Sequence, residues 1–180
     1  MEKIIAPSES VIYFSLDLSA DMSHARAKVY ISHGTASTPS AIAKKHEAIC
    51  PHANSYEIQR FFEIMGGGQL GPYERKPLLS CFAFTSQAPD QPVGTVHFPI
   101  SAYADNDREI QARIEQYMAA VSVPSLYKKR YRKMISAVQR RPLDQGTNIH
   151  AWVSLKQAAG GKQSNTFYIS PDLFMYRRES

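Results

Sequence analysis

The sequence predicts an α+β fold of order ββααββααββ, with antiparallel strands on the inside and helices on the outside. Three observations predict it. Strand-like stretches come in pairs, the pairs recur about 70 residues apart, and two amphipathic helical patterns separate each pair from the next. The recurrence is clearest in Lys28-Val29-Tyr30, Thr95-Val96-His97 and Thr166-Phe167-Tyr168. Side chains alternate across a strand, so each copy carries a polar or aromatic row opposite an apolar one. Three polar rows that repeat with the fold imply one shared polar interior, as a closed barrel with a ligand-sized lumen provides.

The first strand, Val11 to Leu18, places Ile12, Phe14, Leu16 and Leu18 on one face and Tyr13, Ser15 and Asp17 on the other. Ser19 to His24 turns the chain into Ala25 to Ser32, where Arg26, Lys28 and Tyr30 oppose Ala25, Ala27, Val29 and Ile31. A Thr/Ser/Pro loop follows Gly34, and a helix starting at Pro39 or Ser40 runs to Cys50, stopped by Pro51. Asn54 or Ser55 caps the next helix, whose Ile58, Phe61, Phe62 and Met65 share a face before Gly66-Gly67-Gly68 ends it.

Leu78 to Ser86 and Gly94 to Ile100 form the second hairpin, joined by a loop from Gln87 to Val93, with Pro99 tolerated near the strand end. Asn106 and Glu109 make a capping box for a helix whose Ile110, Ile114, Tyr117 and Val121 point inward. Pro124 opens the last helix, with Tyr127, Tyr131, Met134 and Val138 on its inner side, and Pro142 closes it. Ile149 to Gln157 and Asn165 to Ser170 make the third hairpin across Gly160-Gly161. The tail from Pro171 has no clear pattern.

A chain of 180 residues suits one domain, 1–180, with a sound core; 43% hydrophobic and 11% aromatic residues exclude a disordered tail. No apolar run is long enough to span a bilayer, and Met1 to Pro7 lacks the shape of a signal peptide. A cytoplasmic location without a membrane partner is therefore expected. Cys50 and Cys81 do not make a disulfide framework, and a net charge of +5 favours anionic partners.

Lys128-Lys129-Arg130-Tyr131-Arg132-Lys133 is the densest basic run. Its helix turns its tyrosines inward, so the run reads as a solvated face and no nucleic acid is expected. Asp105-Asn106-Asp107 sits where a helix needs a cap and reads as that cap rather than as an aspartate-rich metal motif. His46, Cys50 and His52 lack a fourth ligand, so no metal site is expected; Gly66-Gly67-Gly68 lacks the Lys-Ser/Thr of a P-loop.

That leaves the polar row. Buried charge is costly unless paired, and neither Asp nor Glu falls on the row beside Arg26 and Lys28. If this face lines a lumen, the missing partner is a multiply anionic ligand such as a diphosphate, held by guanidinium and ammonium donors. Tyr30, Tyr168 and His97 then ring the space above it, and their electron-rich faces stabilise a nearby cation. A diphosphate clamp beneath an aromatic collar suits heterolysis of an allylic diphosphate. The other reading of the row is a plain solvated strand face.

Several motifs together carry a resemblance: Ser15-Leu16-Asp17-Leu18, Arg26-Ala27-Lys28-Val29-Tyr30, Thr95-Val96-His97-Phe98-Pro99 with Tyr103-Ala104-Asp105-Asn106-Asp107, Arg141-Pro142-Leu143-Asp144, and Ile149-His150-Ala151-Trp152-Val153-Ser154. In this order and spacing they resemble the fungal aromatic prenyltransferases of the dimethylallyltryptophan synthase type, over essentially the whole chain. The resemblance implies an ABBA barrel, strands inside and helices outside, here as a partial barrel. It implies transfer of a dimethylallyl group from dimethylallyl diphosphate to an electron-rich aromatic acceptor, typically an indole, in fungal alkaloid metabolism, without a strict metal requirement or other cofactor.

Carried over residue by residue, Arg26 and Lys28 match the family's diphosphate-binding pair, and Tyr30 and Tyr168 match tyrosines that shield the allyl cation. His97 stands where the family usually has tyrosine, Thr95 where it often has glutamine, and Ser164 where it often has another tyrosine. Thr95, Ser164 and Thr166 are the weaker lumen candidates. The resemblance is to the C-terminal half of proteins more than twice as long. The other half would supply an acidic residue for the indole N–H, an arginine and a second Lys-x-Tyr clamp. Three hairpins leave both outer strands with unpaired edges, so aggregation, self-association or pairing with the missing half is expected. A catalytically inactive remnant that binds diphosphate or a partner chain is the alternative to an active transferase.

Overall fold

The computed structural model describes residues 5–17, 19–21, 25–147 and 149–170, and within them six strands form one antiparallel sheet in sequence order. The strands are β1 (Ser10–Asp17), β2 (Arg26–Ser32), β3 (Leu79–Thr85), β4 (Ala88–Phe98), β5 (His150–Ala158) and β6 (Lys162–Ile169). Helices α1 (Pro39–Ile49) and α2 (Ser55–Met65) link the first hairpin to the second, and α3 (Asp107–Ala120) and α4 (Ser125–Val138) link the second to the third. The expected element order is therefore observed. The sheet is open: β1 and β6 each pair with one neighbour, and the lumen expected from the repeats is an uncovered face. Leu18, residues 22–24 of the expected turn and the tail from Pro171 lie outside the described residues.

Helices α1, α2 and α3 start where the sequence supplies a side-chain cap, whereas α4 follows Pro124 without one. Thr38 accepts from the Ala41 N–H with Pro39 in the first turn, Asn54 accepts from Glu57, and Asn106 accepts from Glu109. The Glu109 carboxylate reaches back to the Asp105 N–H, one residue beyond the partner that a standard capping box uses. Apolar faces then close on one side of the sheet: Phe62 meets Phe98 with ring centroids 6.1 Å apart, Tyr131 meets Phe167 at 5.7 Å, and His46 of α1 lies 4.8 Å from Phe82. Phe61, Phe62, Phe98, Ile110 and Ile114 are fully buried. At about 1.5–3 kcal/mol for each such side chain, this layer dominates stability. Helix and sheet approach closely at Gly94, where an added Cβ would stand 2.5 Å from His46 Nδ1 and 2.9 Å from Cys50 Sγ.

Three expectations are corrected. β4 begins at Ala88, within the segment expected to be a loop, although Pro89 and Pro92 lie in it. Its pairing with β5 covers only Gly94 to Phe98, so the prolines stand where β4 has one neighbour and a missing N–H breaks nothing. In α4, Tyr131 and Ile135 are buried, while Tyr127 and Met134 are exposed. In β1, Phe14 and Leu16 are 64% and 61% exposed because the helical layer does not reach this edge.

Two buried polar clusters fasten the helical side. Glu9 Oε1 lies 2.7 Å from His33 Nδ1, His33 Nε2 lies 2.6 Å from Ser80 Oγ, and Ser80 Oγ lies 2.7 Å from His46 Nε2. Lys45 pairs with the same glutamate. In the second cluster the fully buried Asp107 accepts from the Ile149 and His150 N–H groups and from Arg141 Nη2 at 2.9 Å. His150 Nδ1 lies 2.9 Å from Asp107, and its Nε2 lies 2.7 Å from the Tyr131 hydroxyl. Asp107 thus leaves the cap of α3 to Asn106 and ties the first turn of that helix to the start of β5.

Candidate functional site

Cross-strand register determines which residues share the open face. Asp17 pairs with Arg26, Ser15 with Lys28 and Tyr13 with Tyr30. Tyr30 continues through Cys81, Thr95 and Lys156 to Ser164, and the next row holds Ser32, Leu79, His97, Ser154 and Thr166. Trp152 pairs with Tyr168. Directly paired residues point to the same side of a sheet, so Arg26, Lys28, Tyr30, Thr95, His97, Ser164, Thr166 and Tyr168 all lie on the face away from the helices.

The three rings expected to form a collar are contiguous. Tyr30 and His97 have centroids 6.2 Å apart, His97 and Tyr168 6.0 Å, and Tyr13 extends the line 6.1 Å beyond Tyr30. They belong to alternate strands β2, β4 and β6 and lean across the small Cys81 and Ser154 of the strands between. With Leu79 and Trp152 they line a recess of about 250 Å³. Lys76 Nζ sits 4.6 Å from the Trp152 ring centroid, so this aromatic lining already accommodates a cation.

Burial, followed by the neighbouring Cys81 thiol, pushes the Tyr30 phenol up to about 12. Burial pulls the His97 imidazole down to about 4, and its Nε2 has no hydrogen-bond partner among the described residues. At neutral pH the Tyr30 phenol and the His97 imidazole are therefore uncharged, and their ring faces are suited to a cation.

The cationic pair differs from the sequence expectation. Arg26 Nε and Nη2 donate to Asp17 Oδ2 at 3.0 and 2.7 Å, and Lys28 Nζ donates to Oδ1 at 2.9 Å. An acidic residue does accompany the pair, from the facing strand rather than from β2 itself. The Lys28 ammonium, with Arg26, holds the Asp17 carboxyl below its usual range. Two cations share one carboxylate, so one net positive charge remains, and the side chains stay 41% and 22% exposed.

Sequence reasoning missed Asp17 as the partner, Trp152 as a lining residue and Lys156 as a cation on this face. Strand alternation from Trp152 through Ser154 to Lys156 was the available signal. The metal candidates take other roles: His46 is buried against Ser80 and Phe82, burial pulls its imidazole down to about 3, and burial pushes the Cys50 thiol up to about 12. Among the described residues no group of three or more His, Cys, Asp or Glu is placed to hold a metal ion, and no helix is long and apolar enough to cross a membrane. Most of the basic run on α4 is exposed, with Arg132 paired to Glu115.

No protein-family model matches the chain. Solved structures do resemble it. The 6-dimethylallyltryptophan synthase from Micromonospora olivasterospora, in complex with DMASPP and Trp, is 25% identical with a TM-score of 0.79, over 92% of this chain and 44% of that one. The 5-dimethylallyltryptophan synthase from Streptomyces coelicolor is 20% identical with a TM-score of 0.82, over 97% and 49%. AnaPT from Neosartorya fischeri is 14% identical with a TM-score of 0.72, over 91% and 40%. The chain has the fold of dimethylallyltryptophan synthase-type prenyltransferases, bacterial ones included, and spans less than half the length of each of these three structures.

Proposed function

We propose that this chain is a single domain corresponding to the C-terminal half of an aromatic prenyltransferase barrel, and that its open face binds dimethylallyl diphosphate. The observation that carries this is the line of Tyr30, His97 and Tyr168 at centroid spacings near 6 Å, with Arg26 and Lys28 beside it on one face. The fold's likeness to enzymes solved with DMASPP and Trp supports the same reading. Arg26 and Lys28 hold the diphosphate, exchanging a shared monovalent carboxylate for a more highly charged anion. Tyr30, His97 and Tyr168 face the allyl cation that forms as the C–O bond to diphosphate breaks, and diphosphate leaves with the electron pair. The cation then bonds to an electron-rich aromatic carbon, as of an indole, and the proton on that carbon is lost to solvent as the ring regains its aromaticity, in cytoplasmic fungal alkaloid metabolism.

Catalysis on this reading requires a second half-barrel over the open face, from a longer form of the protein or from another copy of the chain. The exposed Val11, Phe14 and Leu16, on the helical side of edge strand β1, favour a partner whose own helical layer continues past this edge. They equally favour a second reading, in which the chain is an inactive remnant that binds diphosphate or a partner chain through this edge.

Calorimetric titration of dimethylallyl diphosphate into wild type, Arg26→Ala and Lys28→Ala tests the binding assignment. Each charge-assisted contact is worth roughly 1.5–3 kcal/mol, so each variant is expected to bind about ten- to a hundredfold more weakly. Equal affinities across the three proteins would return the row to a solvated strand face.

A further inference from the structure

Lys156 stands on β5 opposite Thr95 of β4 and Ser164 of β6. Its side chain therefore projects from the open face, as Arg26 and Lys28 do. It is half-buried, and no hydrogen bond or ion pair engages it among the described residues. The Arg26–Lys28 pair is partly neutralised by Asp17; Lys156 is not.

Between Lys28 and Lys156 the floor is made of small side chains: Cys81 and Thr95 in one cross-strand row, Ala83 and Val93 in the next. Three strand spacings separate β2 from β5, about 14 Å. Lys28 Nζ turns to Asp17 of β1, away from β5, and the floor between the two strands is left to the small side chains. The aromatic line crosses the sheet diagonally, because Tyr30 shares the Lys156 row, His97 stands one row on and Tyr168 pairs with Trp152 beyond it. Lys28 and Lys156 lie to one side of that diagonal, and Leu79 and Trp152 lie to the other. An anion on the lysine side leaves its hydrocarbon free to extend across the rings.

We propose that Lys156, flanked by the Thr95 and Ser164 hydroxyls, forms an anion subsite that grips the diphosphate from the side opposite Lys28. The subsite rests on the diphosphate reading above and adds a third strand element to it. Lys156 supplies a point charge with three donors and each hydroxyl supplies one more, which suits the terminal oxygens of a phosphoryl group.

The test titrates inorganic diphosphate, and separately dimethylallyl diphosphate, into wild type, Lys28→Ala, Lys156→Ala, Lys156→Gln and Lys156→Arg, with melting curves to verify folding. Lys156→Ala and Lys156→Gln are expected to lose about tenfold in affinity for both ligands, and Lys156→Arg to keep most of it. If Lys28→Ala weakens binding while Lys156→Gln binds as wild type does, the subsite falls and the diphosphate reading stands. If wild type binds neither ligand, both fall together.

Discussion

The two faces of the sheet are made from the same six strands and solve opposite problems. On the helical face, Val96, Phe98, Val153 and Leu155 are buried, and its polar intruders Ser80 and Asp107 are bonded on several sides. On the open face, Lys28, His97 and Lys156 are only half-buried, and His97 and Lys156 retain polar atoms that nothing in the described chain engages. A satisfied polar group stabilises a fold, whereas an unsatisfied one is available to a ligand. Stability is concentrated on one face, and capacity for chemistry on the other.

Breaking the helical face should have the larger effect. Asp107→Ala strips an acceptor from Arg141, His150 and two backbone N–H groups, all converging on one buried carboxylate. A loss of about 3–5 kcal/mol is expected in urea unfolding. A loss below about 1 kcal/mol would mean that the cluster is not structural.

Acid should act next, and on the same face. Burial lowers the pKa of both His33 and His46, the latter to about 3, below the unfolded value near 6.5. The unfolded chain therefore binds more protons in that window. The stability that comes from keeping the two rings neutral is complete above about pH 6.5 and declines as pH falls toward 3. The Glu9 carboxyl, lowered by Lys45, Ala6 and His33 against the opposing effect of burial, adds a contribution that is lost on further acidification below its unfolded range. Urea midpoints measured from pH 7.5 to 4 should fall, and His46→Gln should flatten the fall. A midpoint independent of pH would contradict the burial of the pair.

Tyr30→Phe on the open face should matter least to stability. It forfeits the hydroxyl's contacts with Cys81 and Ser15 but keeps the ring beside Tyr13 and His97, so a change of about 1 kcal/mol or less is expected on melting. A loss as large as that of Asp107→Ala would erase the distinction between the faces.

What the sequence made legible follows the same division. Strand alternation and a repeat of about 70 residues suffice to put Tyr30, His97 and Tyr168 on one side. Cap residues suffice to start α2 and α3, and Pro39 suffices to start α1, whose cap is the preceding Thr38. Register between strands was not legible: Asp17 reaches Arg26 through a pairing that runs unbroken from Tyr13↔Tyr30 to Asp17↔Arg26, and no local pattern encodes it. Prolines 89 and 92 concealed the first half of β4 because a proline's effect depends on whether a neighbour needs its N–H, a tertiary fact. Tyr127 and Tyr131 share helical spacing, yet Tyr131 is buried against His150 while Tyr127 stays exposed beneath Arg130.

The pair of imidazoles on Ser80 forces a proton order. With Glu9 ionised, its oxygen accepts from Nδ1 of neutral His33, which leaves His33 Nε2 bare to accept the single hydroxyl hydrogen of Ser80. Ser80 Oγ must then accept from His46 Nε2–H, and the neutral His46 ring is left with an unprotonated Nδ1. The hydrogen bonds therefore run one way, from α1 through β3 and His33 to Glu9. The bare nitrogen faces Gly94, where a Cα hydrogen fits and a methyl group does not. A proton that enters this chain from acid finds its open ring lone pair there, so protonating His46 and prising α1 from β4 are one event.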